Sequence, residues 1–122
     1  MKKVEAIVRP DRLQAVQDAL DEQGVSGLTV TEVLGCGAQR GYAEMYRGTK
    51  VQISLQRKVK VEAVVPDDKV DGVIEAIIGA AQTGEVGDGK IFVLPVEGAV
   101  RIRSGERGDE IVQHRAPEHW GH

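Results

Sequence analysis

Val59-Lys60-Val61-Glu62-Ala63-Val64-Val65-Pro66-Asp67-Asp68-Lys69-Val70, residues 59–70, decides the fold, because its pattern has already occurred once in the chain. Val61-Glu62-Ala63 repeats Val4-Glu5-Ala6, and the same spacing relates Asp68 to Asp11, Val70 to Leu13, Val73 to Val16 and Ile77 to Leu20. In each copy a period-two stretch is followed by Pro and Asp and then by apolar residues at helical spacing, so each reads as a strand leading into a helix. In the first copy Val4, Ala6 and Val8 alternate with Glu5, Ile7 and Arg9, and Leu13, Val16 and Leu20 share a helix face that ends before Gly24. A β-branched strand over residues 28–33 follows. In the second copy Val59, Val61, Ala63 and Val65 form the strand, and Val70, Val73, Ile74 and Ile77 form the helix face. Ile91 to Leu94 is the closing strand. Two βαβ halves joined head to tail imply an α+β, ferredoxin-like sheet with both helices on one face.

The chain has 122 residues, one domain's worth, with 15 glycines, one cysteine and four aromatic residues, Tyr42, Tyr46, Phe92 and Trp120. A formal charge of −3 and so few aromatics argue against a nucleic-acid surface, which needs a broad basic footprint or a stacking platform. A lone Cys36 excludes an intramolecular disulfide and suits a reducing compartment. No stretch has the roughly 20 apolar residues of a membrane span, and Glu5 and Arg9 interrupt any secretory signal. The expected location is the cytoplasm.

Three segments carry chemistry. From Cys36 to Arg57 no periodicity is visible, and Arg40, Glu44, Arg47 and Lys50 crowd the stretch with charge; a loop this long reads as a docking or sensing element. Thr83-Gly84-Glu85-Val86-Gly87-Asp88-Gly89-Lys90 has the glycine and lysine spacing of a Walker A loop. Ile91 stands where magnesium would need Ser or Thr, however, and the helix precedes the loop instead of following it, so a P-loop is rejected. Gly87 and Gly89 can still turn backbone N–H groups into an anion-binding nest, with Lys90 beside it; a tight helix-to-strand turn needs the same glycines. Arg101 and Arg103, read as alternating in an extended segment, send two like charges from one face, which calls for an anion or an acidic neighbour. Together the nest, the lysine and the arginines point to a polyphosphate.

Gln82-Thr83-Gly84, Gly87-Asp88-Gly89-Lys90-Ile91-Phe92-Val93 and Val100-Arg101-Ile102-Arg103-Ser104-Gly105-Glu106 resemble the nitrogen-regulatory PII signalling proteins, as do Gly27 through Val33 and Glu44-Met45-Tyr46-Arg47-Gly48. The resemblance runs from residue 1 to about 111, leaving 112–122 as a flexible tail with all three histidines, His114, His119 and His122, and Trp120. It implies a homotrimer that is not an enzyme and binds ATP or ADP in clefts between subunits, with 2-oxoglutarate beside Mg-ATP. By position, Gly87, Asp88, Gly89, Lys90, Arg101 and Arg103 would hold phosphates. Thr29, Glu62 and Val64 would meet the adenosine, and Gly35 and Gly37 would line the cleft. Gln39 would contribute to Mg²⁺, while Lys58, with Gln39 and Gly87, would meet 2-oxoglutarate. The loop 36–57 would be the family's T-loop, offering Arg40, Glu44, Tyr46, Arg47 and Thr49 to nitrogen-metabolism enzymes, transcription regulators or an ammonium transporter at the membrane. The chain departs from the family at Ala38, where an arginine is common, at Val51, where some members carry a modified tyrosine, and at Arg9 and Asp11. Ala38 and Arg9 keep a second reading open, a PII-like nucleotide regulator with another effector or none. A slow nucleotide hydrolase is the enzymatic alternative.

Overall fold

A computed structural model describes residues 1–36 and 55–112. Its elements run β1 (Lys2–Val8), α1 (Leu13–Glu22), β2 (Thr29–Cys36), β3 (Leu55–Val65), α2 (Val70–Ala81) and β4 (Lys90–Pro95). The four strands form one sheet in the order β2-β3-β1-β4, with every neighbouring pair antiparallel. This is the sheet expected of two βαβ halves, each helix carrying the chain over β1 or β3.

Strand parity places the core. Val4, Ala6 and Val8 of β1 and Val59, Val61, Ala63 and Val65 of β3 are buried on one face. Val16 and Leu20 of α1 and Val70, Val73, Ile77 and Ala81 of α2 complete a single cluster over that face. The repeated positions Val16 and Val73, and Leu20 and Ile77, are thus equivalent core positions of the two halves. Ile77→Val removes one methylene from this packing and is expected to lower the unfolding free energy by about 1 kcal/mol in urea denaturation.

The helices begin one turn later than their Pro-Asp signals. Pro10–Arg12 and Asp67–Lys69 are 3-10 turns leading into α1 and α2, and neither flanking residue, Arg9 or Pro66, caps its turn through a side chain. Gly24, at φ 82°, closes α1 by letting the Val25 N–H reach the Leu20 carbonyl.

The strands flanking the long loop are longer than their periodicity suggests. Leu34 pairs with Arg57, Gly35 with Gln56 and Cys36 with Leu55, so both ends of the expected 36–57 loop belong to a β2–β3 ladder. Leu34 and Leu55 are exposed there, which is why no burial alternation marks the extension. Gly37, Gln39, Arg40, Glu44, Tyr46, Arg47 and Thr49 lie outside the described residues, as do Ala38, Val51 and the histidine-bearing tail. No helix of the described residues is long and apolar enough to cross a membrane.

Candidate functional site

The loop between α2 and β4 is built around one carboxylate. Asp88 turns back across it: Oδ2 accepts the Thr83 and Gly84 backbone N–H groups, both at 2.8 Å, and Oδ1 accepts the Thr83 hydroxyl and Arg9 Nε, the latter at 3.1 Å. These donors, the Thr83 hydroxyl foremost, hold the Asp88 carboxyl far below the usual carboxylate range against a smaller opposing effect of desolvation. Arg9 also donates from Nη2 to the Val86 carbonyl at 2.8 Å, and Lys58 Nζ donates to the Gly87 carbonyl. The loop is therefore tied to the end of β1 and to β3 at three successive residues, Val86, Gly87 and Asp88. Gly84, Gly87 and Gly89 all have positive φ, of 88°, 100° and 104°. With the Asp88 carboxylate taken up by the loop, the main chain of residues 87–89 and the Lys58 and Lys90 side chains are what this end of the sheet offers an anion.

Thr29, Glu62 and Val64 come together elsewhere. They line a groove of about 580 Å³ with Lys3, Val100 and Ile111. The open face of the sheet carries a charge ladder here. Lys3 Nζ meets Glu62 at 3.0 Å and Glu5 at 3.5 Å, and Lys60 reaches Glu5 at 4.0 Å. The hydrogen bond that Lys3 donates to Glu62 is the main reason its ammonium is held above its ordinary pKa. Glu62 pairs with Glu5 in mid-sheet, whereas the glycine loop closes on Arg9, four residues along; at strand rise that separation is roughly 13 Å.

Arg101 and Arg103 do not alternate in an extended strand, and that expectation is corrected. Residues 102–104 form a turn whose ends join at a Val100–Arg107 bridge. The Arg101 N–H donates to the Glu106 carbonyl and the Gly105 N–H to the Arg101 carbonyl, both at 2.8 Å. Gly105, at φ 74°, supplies the backbone conformation that an extended reading leaves out. The acidic neighbour required by two adjacent arginines is Glu106, whose Oε1 lies 2.8 Å from Arg101 Nη1. Among the described residues no hydrogen bond or ion pair joins Arg101 or Arg103 to the glycine loop.

The described site residues, Gly35 aside, thus fall into three places in one chain: the 83–90 loop with Lys58, the Thr29–Glu62–Val64 groove, and the 100–107 turn beside that groove. Gly35 lies opposite Gln56 near the end of β2. The sequence reading missed the structural work of Thr83, Arg9 and Lys3. Thr83 and Asp88 flank the loop as a hydroxyl donor and a carboxylate acceptor, a signal that was legible. Lys3, Glu5, Lys60 and Glu62 occupy the polar positions of the alternating strands and could have been read as a cross-strand ladder.

The family model for nitrogen regulatory protein P-II matches residues 1–106. The nitrogen regulatory protein P-II of Rhodobacter capsulatus is 54% identical over 112 residues, 92% of this chain and 100% of that protein. Nitrogen regulatory protein P-II 1 of Escherichia coli (strain K12) is 51% identical over the same coverage. A crystal structure of Arabidopsis thaliana PII bound to citrate superposes with a TM-score of 0.72 at 48% identity, covering 89% of each chain.

Proposed function

The chain belongs to the nitrogen regulatory protein P-II family, a regulatory family whose members act on nitrogen-metabolism targets, and from that premise we propose that it reads adenine nucleotides and 2-oxoglutarate in clefts between three copies of itself. The observation that carries the reading is the division of the site within one chain. The glycine loop can supply main-chain donors and cations for phosphates, while Thr29, Glu62 and Val64 line a separate groove for a nucleoside. A second copy that sets its groove and its 100–107 turn against the first copy's loop would join the two halves and bring Arg101 and Arg103 to the phosphates. The exposed Phe92 and Leu94 on the open face, 50% and 39% accessible, supply apolar area for such an assembly.

In this reading Gly87, Asp88 and Gly89 act through their main chain, with Lys90 and the partner copy's arginines as counter-charges. Mg²⁺ would be held chiefly by oxygens of the nucleotide and of 2-oxoglutarate, with Gln39 as the chain's own donor, an all-oxygen set that suits a hard cation. Lys58 would neutralise a carboxylate of 2-oxoglutarate. The citrate of the Arabidopsis relative, like 2-oxoglutarate a multiply charged carboxylate, supports an effector of this kind. Ligand state would be conveyed to targets through residues 36–57.

One observation favours the second reading, a nucleotide regulator with another effector or none: Lys58 already donates to Gly87, and Arg9 to Asp88 and Val86. Isothermal titration with ADP, with ATP, and with Mg-ATP plus 2-oxoglutarate separates the two. The proposal expects both nucleotides to bind and 2-oxoglutarate to tighten Mg-ATP, by linkage. Light scattering is expected to give three times the chain mass. Absence of nucleotide binding at millimolar concentration overturns the proposal, and nucleotide binding without a 2-oxoglutarate effect selects the second reading.

A further inference from the structure

Arginine at an anion site is most effective when its fork of N–H donors is free to meet phosphate oxygens. In this chain one nitrogen of the Arg101 fork is already engaged. Nη1 donates to Glu106 Oε1 at 2.8 Å, and the same oxygen accepts the Ser104 hydroxyl at 2.7 Å. The Ser104 oxygen in turn accepts the Glu106 N–H at 3.2 Å, so the carboxylate is aimed at Arg101 by its own turn.

The side-chain pair is not what builds the turn. Residues 101 and 106 are held opposite each other by the Arg101 N–H to Glu106 carbonyl bond, and the Val100–Arg107 bridge closes the turn outside them. Removing the Glu106 charge therefore leaves the main chain in place. The pair is also open to water, with Arg101 37% and Glu106 52% exposed. An exposed pair of this kind is weak enough for a polyanion to displace. The Ser104 hydroxyl foremost, then Arg101 and to a smaller degree Arg103, favour the ionised Glu106 carboxylate.

We propose that Glu106 is an internal competitor that occupies one arm of the Arg101 fork in place of a ligand phosphate, so that a nucleotide must displace the carboxylate to engage the whole guanidinium. This inference rests on the nucleotide reading above. Its physical consequence is a site that is weaker than its cations alone would make it. Such a site favours ligands with enough phosphate charge to win the exchange.

Titration calorimetry of the intact protein with ATP and with ADP tests this, using wild type, Glu106→Gln and Glu110→Gln. Glu106→Gln keeps the side chain's shape and is expected to bind both nucleotides about threefold to fivefold more tightly. Glu110→Gln makes the same change in net charge nearby and is expected to stay within about twofold of wild type. Coincident thermal melts of the three proteins establish that the turn and fold are retained. Unchanged or weaker binding by Glu106→Gln, with wild-type binding intact, overturns the competitor role and leaves the nucleotide reading standing. So does an equal gain in Glu110→Gln. Absence of nucleotide binding by the wild type overturns the nucleotide reading and this inference with it.

Discussion

Gly89→Ala is expected to lower the unfolding free energy by about 4 kcal/mol or more, a loss at the upper end of what single substitutions do. Gly89 has φ +104°, and a Cβ placed there would stand 1.7 Å from the Ile7 carbonyl oxygen and 2.8 Å from its carbon. Both are backbone atoms of β1, beside the Ile7–Lys90 pair that begins the β1–β4 ladder, so no side-chain rotation relieves the overlap. Either β4 shifts off β1 or the loop abandons its tie to Arg9. Gly84→Ala is the matched comparison: Gly84 has φ +88° with nothing within 4 Å of its Cβ position. It therefore bears only the left-handed backbone cost, about 1 to 2 kcal/mol. Guanidinium denaturation of the two variants checks the difference. Equal losses would mean that the close approach of Gly89 to Ile7 does not govern this loop.

Asp88→Ala is expected to release the whole 83–88 segment, because four hydrogen bonds from three residues converge on one carboxylate. Amide exchange at Gly84, slow while its N–H is bound to Oδ2, should accelerate by about two orders of magnitude or more as the local opening becomes nearly free. Nucleotide binding, on the proposed reading, falls with it, because the main-chain donors of residues 87–89 lose their fixed arrangement. The same carboxylate predicts a pH response. Its folded pKa is depressed, so the stabilisation it contributes is fully present above the unfolded aspartate value of about 3.9 and is lost only as pH falls through the folded value. Between pH 5 and 8 Asp88 stays ionised and should give the loop no pH dependence. The Thr83 and Gly84 amide resonances should hold their positions down through pH 4; a titration step centred on the ordinary aspartate value would show that the hydrogen-bonded cluster does not form in solution.

Much of the framework was legible because burial writes itself into alternation. Val4, Ala6 and Val8 and their repeats Val61, Ala63 and Val65 announce strands buried on one side, and Val16, Leu20, Val73 and Ile77 announce helices covering that side. The extension of β2 and β3 to Cys36 and Leu55 was not legible, because a ladder held by main-chain bonds outside the core imposes no apolar period. The turn at 100–107 was misread for a related reason. Arg-Ile-Arg has the alternation of a strand, yet Ile102 is 99% exposed, and the alternation buries nothing.

The sequence by itself determined the two-copy βαβ plan, the position of the core and the residue types gathered for an anion. Each of these follows from patterns within a few residues of one another, or from an internal repeat. Only the tertiary structure decided what those residues do to one another. Asp88 serves the loop through its side chain, Arg9 and Lys58 are ties to the Val86 and Gly87 carbonyls, and Arg101 is held by Glu106. A carboxylate or guanidinium takes its role from whichever opposite partner the fold brings within about 3 Å. For Arg9 and Asp88 that partner lies at the far end of the chain, where no local pattern reaches.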